Sequence, residues 1–131
     1  QYYLIDQLAK NSFPKVKVIG CETVREKDGL AMSSRNLRLS DSERRSAGVL
    51  FQALNKVQSE LSTEQDPESL QSLVVNELQN IDTIELEYFE IRNEASFELA
   101  KKPLDKGGRY RAFVSAKVGP VRLIDNLLVF P

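Results

Sequence analysis

The order of helical and strand-like patterns along the chain predicts an α+β fold, in which helices cover one face of a small antiparallel three-stranded sheet. Two amphipathic stripes with helical spacing follow residue 39, and the hydrophobic period then changes from about 3.6 residues to 2. Three strand-like stretches come next, and Gly119-Pro120 separates the last two as the turn of a hairpin would. Helices followed by consecutive strands favour an antiparallel sheet with the helices packed on one side.

The first 23 residues are predicted to form one helix and one strand. Leu4, Ile5 and Leu8 recur at helical spacing, and Pro14 ends this periodicity because proline cannot continue a helix. Lysines alternating with β-forming residues over residues 15–21 then indicate a half-exposed strand. No Ser, Thr, Asp or Asn cap precedes the helix, so we expect the sequence to begin inside a helix of a longer protein.

Two helices are predicted in the middle of the chain. Ser40 and Glu43 form a capping box at the start of the first helix, whose apolar stripe extends to Leu61. Asp66-Pro67-Glu68 supplies a cap, a first-turn proline and a first-turn acid for the second helix, whose stripe extends to Ile81.

The remaining alternation predicts the three strands. Ile84, Leu86 and Tyr88 are assigned to the face that packs against the helices, opposite two glutamates. A mixed stretch separates this strand from a final hairpin, whose strands are predicted at residues 109–118 and 122–127.

The composition excludes several kinds of chemistry. The 131 residues include no His, so this chain alone cannot form a Ser-His-Asp triad or an imidazole metal site. Its length suits a single core, and 41% apolar and 28% charged residues are typical of a soluble globular protein. A net charge of −1 gives no general attraction to nucleic acid or anionic lipid. One Cys cannot form an internal disulfide, which is compatible with the cytoplasmic location that we expect.

Residues 24–39 carry neither hydrophobic period and form a connection that is long for a compact domain. Arg25 and Arg35 can each donate two parallel hydrogen bonds to phosphate oxygens. Gly29 can adopt a positive φ and lets the backbone approach a ligand, while Ser33-Ser34 offers hydroxyl groups beside N–H groups. This combination suits an anion-binding turn for a polyphosphate.

A structural interpretation of the same loop stays open. Asp28-Gly29 is an ordinary turn dipeptide, and residues 33–36 fit an ordinary polar loop. Met32, the only Met, suits either contact with an adenine ring or a gap in the core. The glycine patterns of Walker and dinucleotide-binding loops do not occur, so spacing alone favours the structural interpretation over phosphate binding.

The most specific motifs lie in this loop and in the last strand. The loop reads Val24-Arg25-Glu26-Lys27-Asp28-Gly29-Leu30-Ala31-Met32-Ser33-Ser34-Arg35-Asn36 before Leu39-Ser40, and the last strand reads Arg122-Leu123-Ile124-Asp125-Asn126 after Val118-Gly119. Both closely resemble motifs of the pantoate-beta-alanine ligases, also called pantothenate synthetases. The stretch from Ile84 to Tyr88 lies where that family has the preceding strand, so the resemblance covers essentially the whole chain. Val121 departs from the family pattern, which usually has a hydroxyl residue there.

The resemblance implies that the chain is part of a two-domain ligase. Members of the family have a Rossmann-like N-terminal nucleotide-binding domain, related to class I aminoacyl-tRNA synthetases, and a smaller C-terminal domain that closes over the site. Residues 1–23 would then be the last helix and strand of the first domain, and residues 24–131 the C-terminal lid domain. The full-length enzyme is expected to be a homodimer without a nucleic-acid or membrane partner.

By resemblance, ATP is bound by the backbone at Val24 and by Met32, Ser33, Ser34 and Arg35, the counterpart of the synthetases' mobile Lys-Met-Ser-Lys-Ser loop. In the family reaction, the carboxylate of pantoate attacks the α-phosphorus of ATP, which gives pantoyl adenylate and pyrophosphate. The amine of β-alanine then attacks the adenylate, and pantothenate and AMP are released.

The same resemblance assigns roles to individual residues. Gln1 is matched to a glutamine that contacts pantoate. Arg35, Ser33 and Ser34 are the expected catalytic groups, which stabilise charge on the phosphates while Mg²⁺ bridges phosphate oxygens through few protein ligands. Asp28 is favoured as a turn residue over a metal contact. The isolated chain is expected to fold without making pantothenate, because the family's histidines and nucleotide-site lysine lie outside it.

Two other classes of function stay open. A nucleic-acid-binding module needs basic and aromatic side chains together, and one such cluster occurs, with a solvated strand face as its alternative interpretation. The cluster consists of Lys101, Lys102, Lys106, Arg109, Tyr110, Arg111 and Phe113. A non-catalytic dimerisation module is the remaining alternative.

Overall fold

The computed structural model of the chain describes residues 1–62, 64–105 and 107–131. Its helices are α1 (Tyr2–Ser12), α2 (Asp41–Glu60) and α3 (Pro67–Gln79), with a short 3₁₀ helix (Ser34–Arg38) between α1 and α2. The strands β1 (Ile84–Asn93), β2 (Tyr110–Val118) and β3 (Val121–Phe130) form one sheet in the order β1-β2-β3, with both neighbouring pairs antiparallel. This arrangement confirms the predicted α+β fold. Among the described residues, no helix is long and apolar enough to cross a membrane.

The hydrophobic core lies between one face of the sheet and helices α2 and α3. Apolar residues recur every three or four positions on each helix, so that each presents one buried stripe. Ala112 and Ala116 on the inner face of β2 are fully buried, and their small side chains leave room for the helices. The helix residues with at most 1% exposure include Ala47, Leu50, Leu54, Val57, Leu70, Val74 and Leu78.

Both core helices begin at the predicted caps. Ser40 Oγ accepts a hydrogen bond from the Glu43 amide at 3.4 Å, and the Glu43 carboxylate accepts one from the Ser40 amide at 2.7 Å. The Ser40 N–H lowers the pKa of Glu43, because it favours the charged carboxylate. Asp66 accepts from the Ser69 amide at 3.2 Å, and Pro67 occupies the first turn of α3. Local side chains therefore determine where each helix starts.

The strand predicted over residues 15–21 does not form. Residues 16–24 have no regular structure, and Val16 and Ile19 are 60% and 68% exposed. A strand needs a neighbour with which to exchange backbone hydrogen bonds, and β propensity alone does not supply one. No strand of the described sheet lies beside this segment, so its alternating pattern has no partner. Of the two elements predicted before residue 24, the helix is present and the strand is not.

The assignment of Tyr88 to the inner face of β1 is also wrong. A β-bulge between Leu86 and Tyr88 adds one residue to the strand, which reverses the inward and outward positions beyond it. Tyr88 is 40% exposed as a result, whereas Phe89 and Ile91 are 2% and 1% exposed and face the helices.

Helix α1 contacts the rest of the molecule through an aromatic residue. The Tyr3 hydroxyl donates a hydrogen bond to the Ala95 carbonyl at 3.1 Å, and its ring centroid is 4.6 Å from that of Phe97. Leu4 and Leu8 on the same helix are 70% and 56% exposed. The boundary between two domains at residue 23 stays a prediction.

Candidate functional site

The first part of the predicted loop, residues 24–32, is a tight hairpin. The Met32 amide donates to the Val24 carbonyl at 2.9 Å, and the Glu26 amide donates to the Leu30 carbonyl at 2.8 Å. Two residues that the resemblance assigns to ATP binding, Val24 and Met32, are therefore joined through their backbones.

Glycine is required at the hairpin turn. Gly29 has a φ of +90°, and a Cβ at this position would lie 2.0 Å from Cδ1 of Phe51. The Asp28 carboxylate accepts a hydrogen bond from the Leu30 amide at 3.3 Å. These contacts confirm the turn interpretation of Asp28-Gly29.

Arg25 binds the protein itself, which corrects the expectation that it contacts phosphate. Its guanidinium donates to both carboxylate oxygens of Asp125 on β3, at 2.6 and 3.0 Å, and to the Gly29 carbonyl at 3.0 Å. It also lies 4.0 Å from the ring centroid of Phe51 on α2. The side chains of Arg25 and Asp125 are only 17% and 6% exposed. Arg25 therefore anchors the hairpin to β3 and α2, since moving it to a ligand would leave Asp125 unpaired.

Arg44 anchors the other side of the hairpin to α2. Its guanidinium pairs with Asp28 and donates to Glu26 at 2.8 Å. Hydrogen bonds from Arg44 lower the pKa of both carboxyls, and Asp28 and Glu26 in turn raise the pKa of Arg44. All three groups are charged at neutral pH, so Arg44 offsets part of the negative charge that would otherwise repel a phosphate.

Asn36 joins the hairpin to the 3₁₀ helix. Its Nδ2 atom donates to the Glu26 carboxylate at 2.9 Å and to the Ala31 carbonyl at 3.0 Å. Because both partners are acceptors, these bonds fix the orientation of the amide. The Oδ1 atom is buried and has no partner within residues 1–62, 64–105 and 107–131. Asn36 is only 7% exposed, and its hydrogen bonds hold in place the residue that directly follows Arg35.

The segment from Met32 to Arg35 lies between these anchors and is exposed. Ser33 Oγ accepts a hydrogen bond from the Arg35 amide at 3.2 Å and caps the 3₁₀ helix. Met32 is 61% exposed, so it does not fill a gap in the core. In the part of the chain that the structure describes, Arg35 forms no ion pair, and its guanidinium is available to an anion.

A cleft of about 200 Å³ lies between this segment and the start of β3. Met32, Ser33 and Arg35 line one side, and Arg122 and Asp125 line the other. Asp125 is paired with Arg25 and Arg122 is paired with Glu87, so Arg35 is the arginine of the cleft that has no ion-pair partner among the described residues. A hydroxyl group and guanidinium groups at one cleft are suited to a phosphate ligand.

Other predicted site residues lie outside this cleft. Ser34 lines a larger open depression of about 890 Å³, on which Met32 and Ser33 also lie. The Val24 side chain is 67% exposed beside the hairpin. Gln1 is at the start of α1 and lines neither depression, so its contact with pantoate stays a prediction.

The basic and aromatic residues around β2 form contacts within the fold. Arg109 and Arg111 both donate to Glu94, at 2.9 and 2.6 Å. Burial alone would raise the pKa of Glu94, but the two arginines outweigh it and the pKa is lowered. Tyr110 is 5% exposed, and Lys106 lies outside the described residues. These contacts favour the strand-face interpretation of the cluster over the nucleic-acid one.

The contacts that hold the loop in place carry little signal in the sequence. Asn36 and Asp125 belong to the two motifs, which marks their positions without revealing their partners. Arg44 lies in an amphipathic helix, where an exposed arginine is ordinary.

A comparison with known proteins supplies the family. The family model described as pantoate-beta-alanine ligase matches residues 1–128. This chain belongs to the pantoate-beta-alanine ligase family. Pantothenate synthetases from Christiangramia forsetii and from Bradyrhizobium sp. (strain BTAi1) are 36% identical over 127 residues and 39% identical over 131 residues. These matches cover 97% and 98% of the chain but only 44% of each relative, so the chain spans less than half of the relatives' length.

Solved structures of pantoate-beta-alanine ligases have a similar fold. The pantothenate synthetase of Thermus thermophilus has a TM-score of 0.87 and 28% identity, over 99% of this chain and 46% of that chain. A pantoate-beta-alanine ligase from Francisella tularensis, solved in complex with beta-gamma ATP and beta-alanine, has a TM-score of 0.57 and 28% identity. That match covers 95% of this chain and 38% of the Francisella protein.

One ion pair joins the two motifs that carry the resemblance to the family. Arg25 lies in the loop motif and Asp125 in the last-strand motif, and their side chains are 2.6 Å apart at the closest atoms. The second motif therefore holds the first against the sheet.

Proposed function

We propose that this chain is the ATP-binding C-terminal lid of a pantothenate synthetase, which makes pantothenate from pantoate, β-alanine and ATP. Membership of the family supports the reaction. The observation that carries the proposal is the exposed Arg35, which lines a cleft together with Ser33 at the end of an anchored hairpin. Residues 1–23 would belong to the nucleotide-binding domain, which supplies the rest of the active site.

The proposed chemistry requires hydrogen-bond donors at the phosphate end of ATP. The carboxylate of pantoate attacks the α-phosphorus, forms pantoyl adenylate and expels pyrophosphate. The amine of β-alanine then attacks the acyl carbon, and AMP leaves. Negative charge develops on the departing pyrophosphate, so donors placed there lower the barrier. The guanidinium of Arg35 and the hydroxyls of Ser33 and Ser34 are suited to this role.

The anchors of the loop support a preorganised site. Arg25 joins the hairpin to β3, Arg44 joins it to α2, and Asn36 joins it to the 3₁₀ helix that carries Arg35. Donors held in place before the reaction do not have to be reoriented during it, which is the source of much electrostatic catalysis. These three residues act by positioning Arg35 and are not expected to touch ATP.

The other end of the nucleotide fits the hairpin. Val24 and Met32 are paired through their backbones, and their apolar side chains are 67% and 61% exposed. An exposed, flexible thioether suits contact with an adenine ring. We therefore infer that the nucleoside lies at Val24 and Met32 while the phosphates extend toward Arg35.

Magnesium is proposed to enter with ATP as part of the substrate. Mg²⁺ keeps several waters and is commonly bound through substrate phosphates with one or two carboxylates. Glu26 and Asp28, the carboxylates of the hairpin, are both paired with Arg44. Because both carboxylates of the hairpin are paired with Arg44, we propose that the phosphates of ATP hold the Mg²⁺ ion. Arg35 and the serines would contact the same phosphates.

The test of the proposal is Arg35→Ala in the full-length protein. We expect pantoate-dependent exchange of pyrophosphate into ATP to fall by about 100-fold, with an unchanged unfolding temperature. Arg38→Ala is the matched control, because Arg38 is exposed at the end of the same 3₁₀ helix. It should change the exchange rate by about twofold or less. Normal adenylation by the Arg35 variant would remove the cleft from the active site.

Two further measurements address the fragment and the assembly. The isolated 131-residue chain should form no pantothenate from pantoate, ATP and β-alanine. Turnover by this chain alone would contradict its assignment as one part of the enzyme. We propose a cytoplasmic homodimer for the full-length protein, and light scattering should give twice the mass of one chain.

A further inference from the structure

A second arginine lies at the cleft, on the side opposite Arg35. Arg122 is near the start of β3, directly after the turn that joins β3 to β2. Its side chain is 53% exposed, and it pairs with Glu87, the residue at the bulge of β1. The guanidinium donates to the two carboxylate oxygens at 3.1 and 2.8 Å.

The arginine reaches the cleft, whereas its partner does not. Arg122 lines the cleft and Glu87 is not among the lining residues. The nearest acid of the cleft wall, Asp125, is already neutralised by Arg25. A polyphosphate in the cleft would therefore face Arg35 and Arg122 without a free carboxylate between them.

Glu87 keeps a partner when Arg122 moves. Its carboxylate also accepts a hydrogen bond from Ser115 Oγ at 2.7 Å. Hydrogen bonds from Arg122 and Ser115 lower the pKa of Glu87, so this side chain is a carboxylate at neutral pH. A phosphate in the cleft therefore competes with the Glu87 carboxylate for Arg122. For an exposed ion pair of this kind, the paired state is favoured over the separated state by a factor of about five at most. A phosphate with more charge can displace it.

We propose that Arg122 is a second phosphate-binding residue of the cleft, held by Glu87 until the phosphates of ATP or pyrophosphate displace that carboxylate. The inference rests on the proposed function and adds a residue to it. Arg35 is available to the phosphates on one wall of the cleft, and the side chain of Arg122 binds them from the other wall. Two guanidinium groups on opposite walls match the several oxygens of a polyphosphate better than one.

The sheet offers a matched control in Lys117. It is the register partner of Arg122 on β2 and forms the same kind of pair, with Glu85 at 2.9 Å. Its side chain is 47% exposed, close to the 53% of Arg122, but it does not line the cleft. Removing the charge of Lys117 therefore measures the general effect of one positive charge on this face.

The experiment compares Arg122→Gln, Glu87→Gln and Lys117→Gln in the full-length protein. The readouts are the KM for ATP and the inhibition constant of inorganic pyrophosphate with Mg²⁺. Arg122→Gln should raise both by about tenfold, as expected for one charge-assisted hydrogen-bonding group. Glu87→Gln keeps an acceptor for Ser115 but replaces the ion pair with a weaker neutral hydrogen bond to Arg122, so both constants should fall by about two- to fivefold. Lys117→Gln should change them by less than about twofold.

A purely structural role for the pair predicts a different pattern. If Arg122→Gln and Glu87→Gln raise the two constants equally, or if Arg122→Gln behaves like Lys117→Gln, the inference is overturned. Thermal unfolding of each variant separates these outcomes from a loss of fold. Loss of adenylation in Arg35→Ala with no effect of Arg122→Gln would overturn the inference alone. Absence of pantothenate formation by the full-length wild-type protein would overturn the proposed function and the inference together.

Discussion

Asp125→Ala removes the counterion of Arg25 and should lower the free energy of unfolding of the chain by about 3 kcal/mol. Asp125 accepts hydrogen bonds from Arg25 at 2.6 and 3.0 Å, and the two side chains are 6% and 17% exposed. Removing one partner of a buried pair costs about 3–5 kcal/mol, because the other charge stays buried. Arg25 retains the Gly29 carbonyl and the Phe51 ring, which places the cost at the lower end of that range.

The assay is urea unfolding followed by far-ultraviolet circular dichroism, arranged as a double-mutant cycle. Arg25→Met removes the charge and keeps most of the apolar stem. The double variant with Asp125→Ala should lose about 2 kcal/mol less than the sum of the two single losses. Glu77→Ala, which removes the surface pair with Lys56, is the control and should cost less than about 1 kcal/mol. A coupling energy below about 0.5 kcal/mol would refute the assignment of this pair as the anchor of the loop.

Three further predictions concern the same loop. Gly29→Ala should cost about 2–4 kcal/mol in urea unfolding, because its Cβ would meet the Phe51 ring at a φ of +90°. Gly107→Ala is the control and should cost about 0.5 kcal/mol or less, because among the described residues the nearest atom to its Cβ would be Asp105 Oδ1 at 3.9 Å. Asn36→Asp should melt below Asn36→Ala at neutral pH, since it puts a carboxylate where Glu26 now accepts a hydrogen bond at 2.9 Å, and equal melting temperatures would contradict this. Hydrogen bonds from Arg44 hold the pKa values of Glu26 and Asp28 below their ordinary 4.5 and 3.8, so their stabilisation is present at neutral pH and is lost as the pH falls below those values. The melting temperature of Arg44→Met should therefore be well below that of the wild type at neutral pH and approach it as the pH falls below 3.8. A difference that does not depend on pH would show that the pairing adds no stability.

Features encoded by neighbouring residues could be predicted from the sequence. The starts of α2 and α3 follow from Ser40, Glu43 and Asp66, whose side chains act within three residues of themselves. The loop that carries Ser33 and Arg35 can be located in the same way, because its motif is continuous in the chain, and the role of these residues in binding stays a prediction.

Features that depend on distant residues could not be predicted in this way. The strand predicted over residues 15–21 does not form because no neighbouring strand pairs with it, and a local sequence pattern cannot show whether such a neighbour exists. Tyr88 was assigned to the wrong face because a bulge changes the alternation by one residue and leaves no local mark. Arg25 looked like a phosphate ligand because its true partner, Asp125, is 100 positions away.

That separation of Arg25 and Asp125 has a consequence for how the protein is made. The ribosome synthesises Arg25 before β3, so the counterion of Arg25 emerges 100 residues after Arg25 itself. Contacts between distant residues form late, since the loop between them must close first. The nascent loop therefore cannot take its anchored shape until β3 has joined the sheet, and the proposed ATP site would not be complete before that step. Loss of the final strand to a protease or a stop codon would release the loop although every residue of the loop remained.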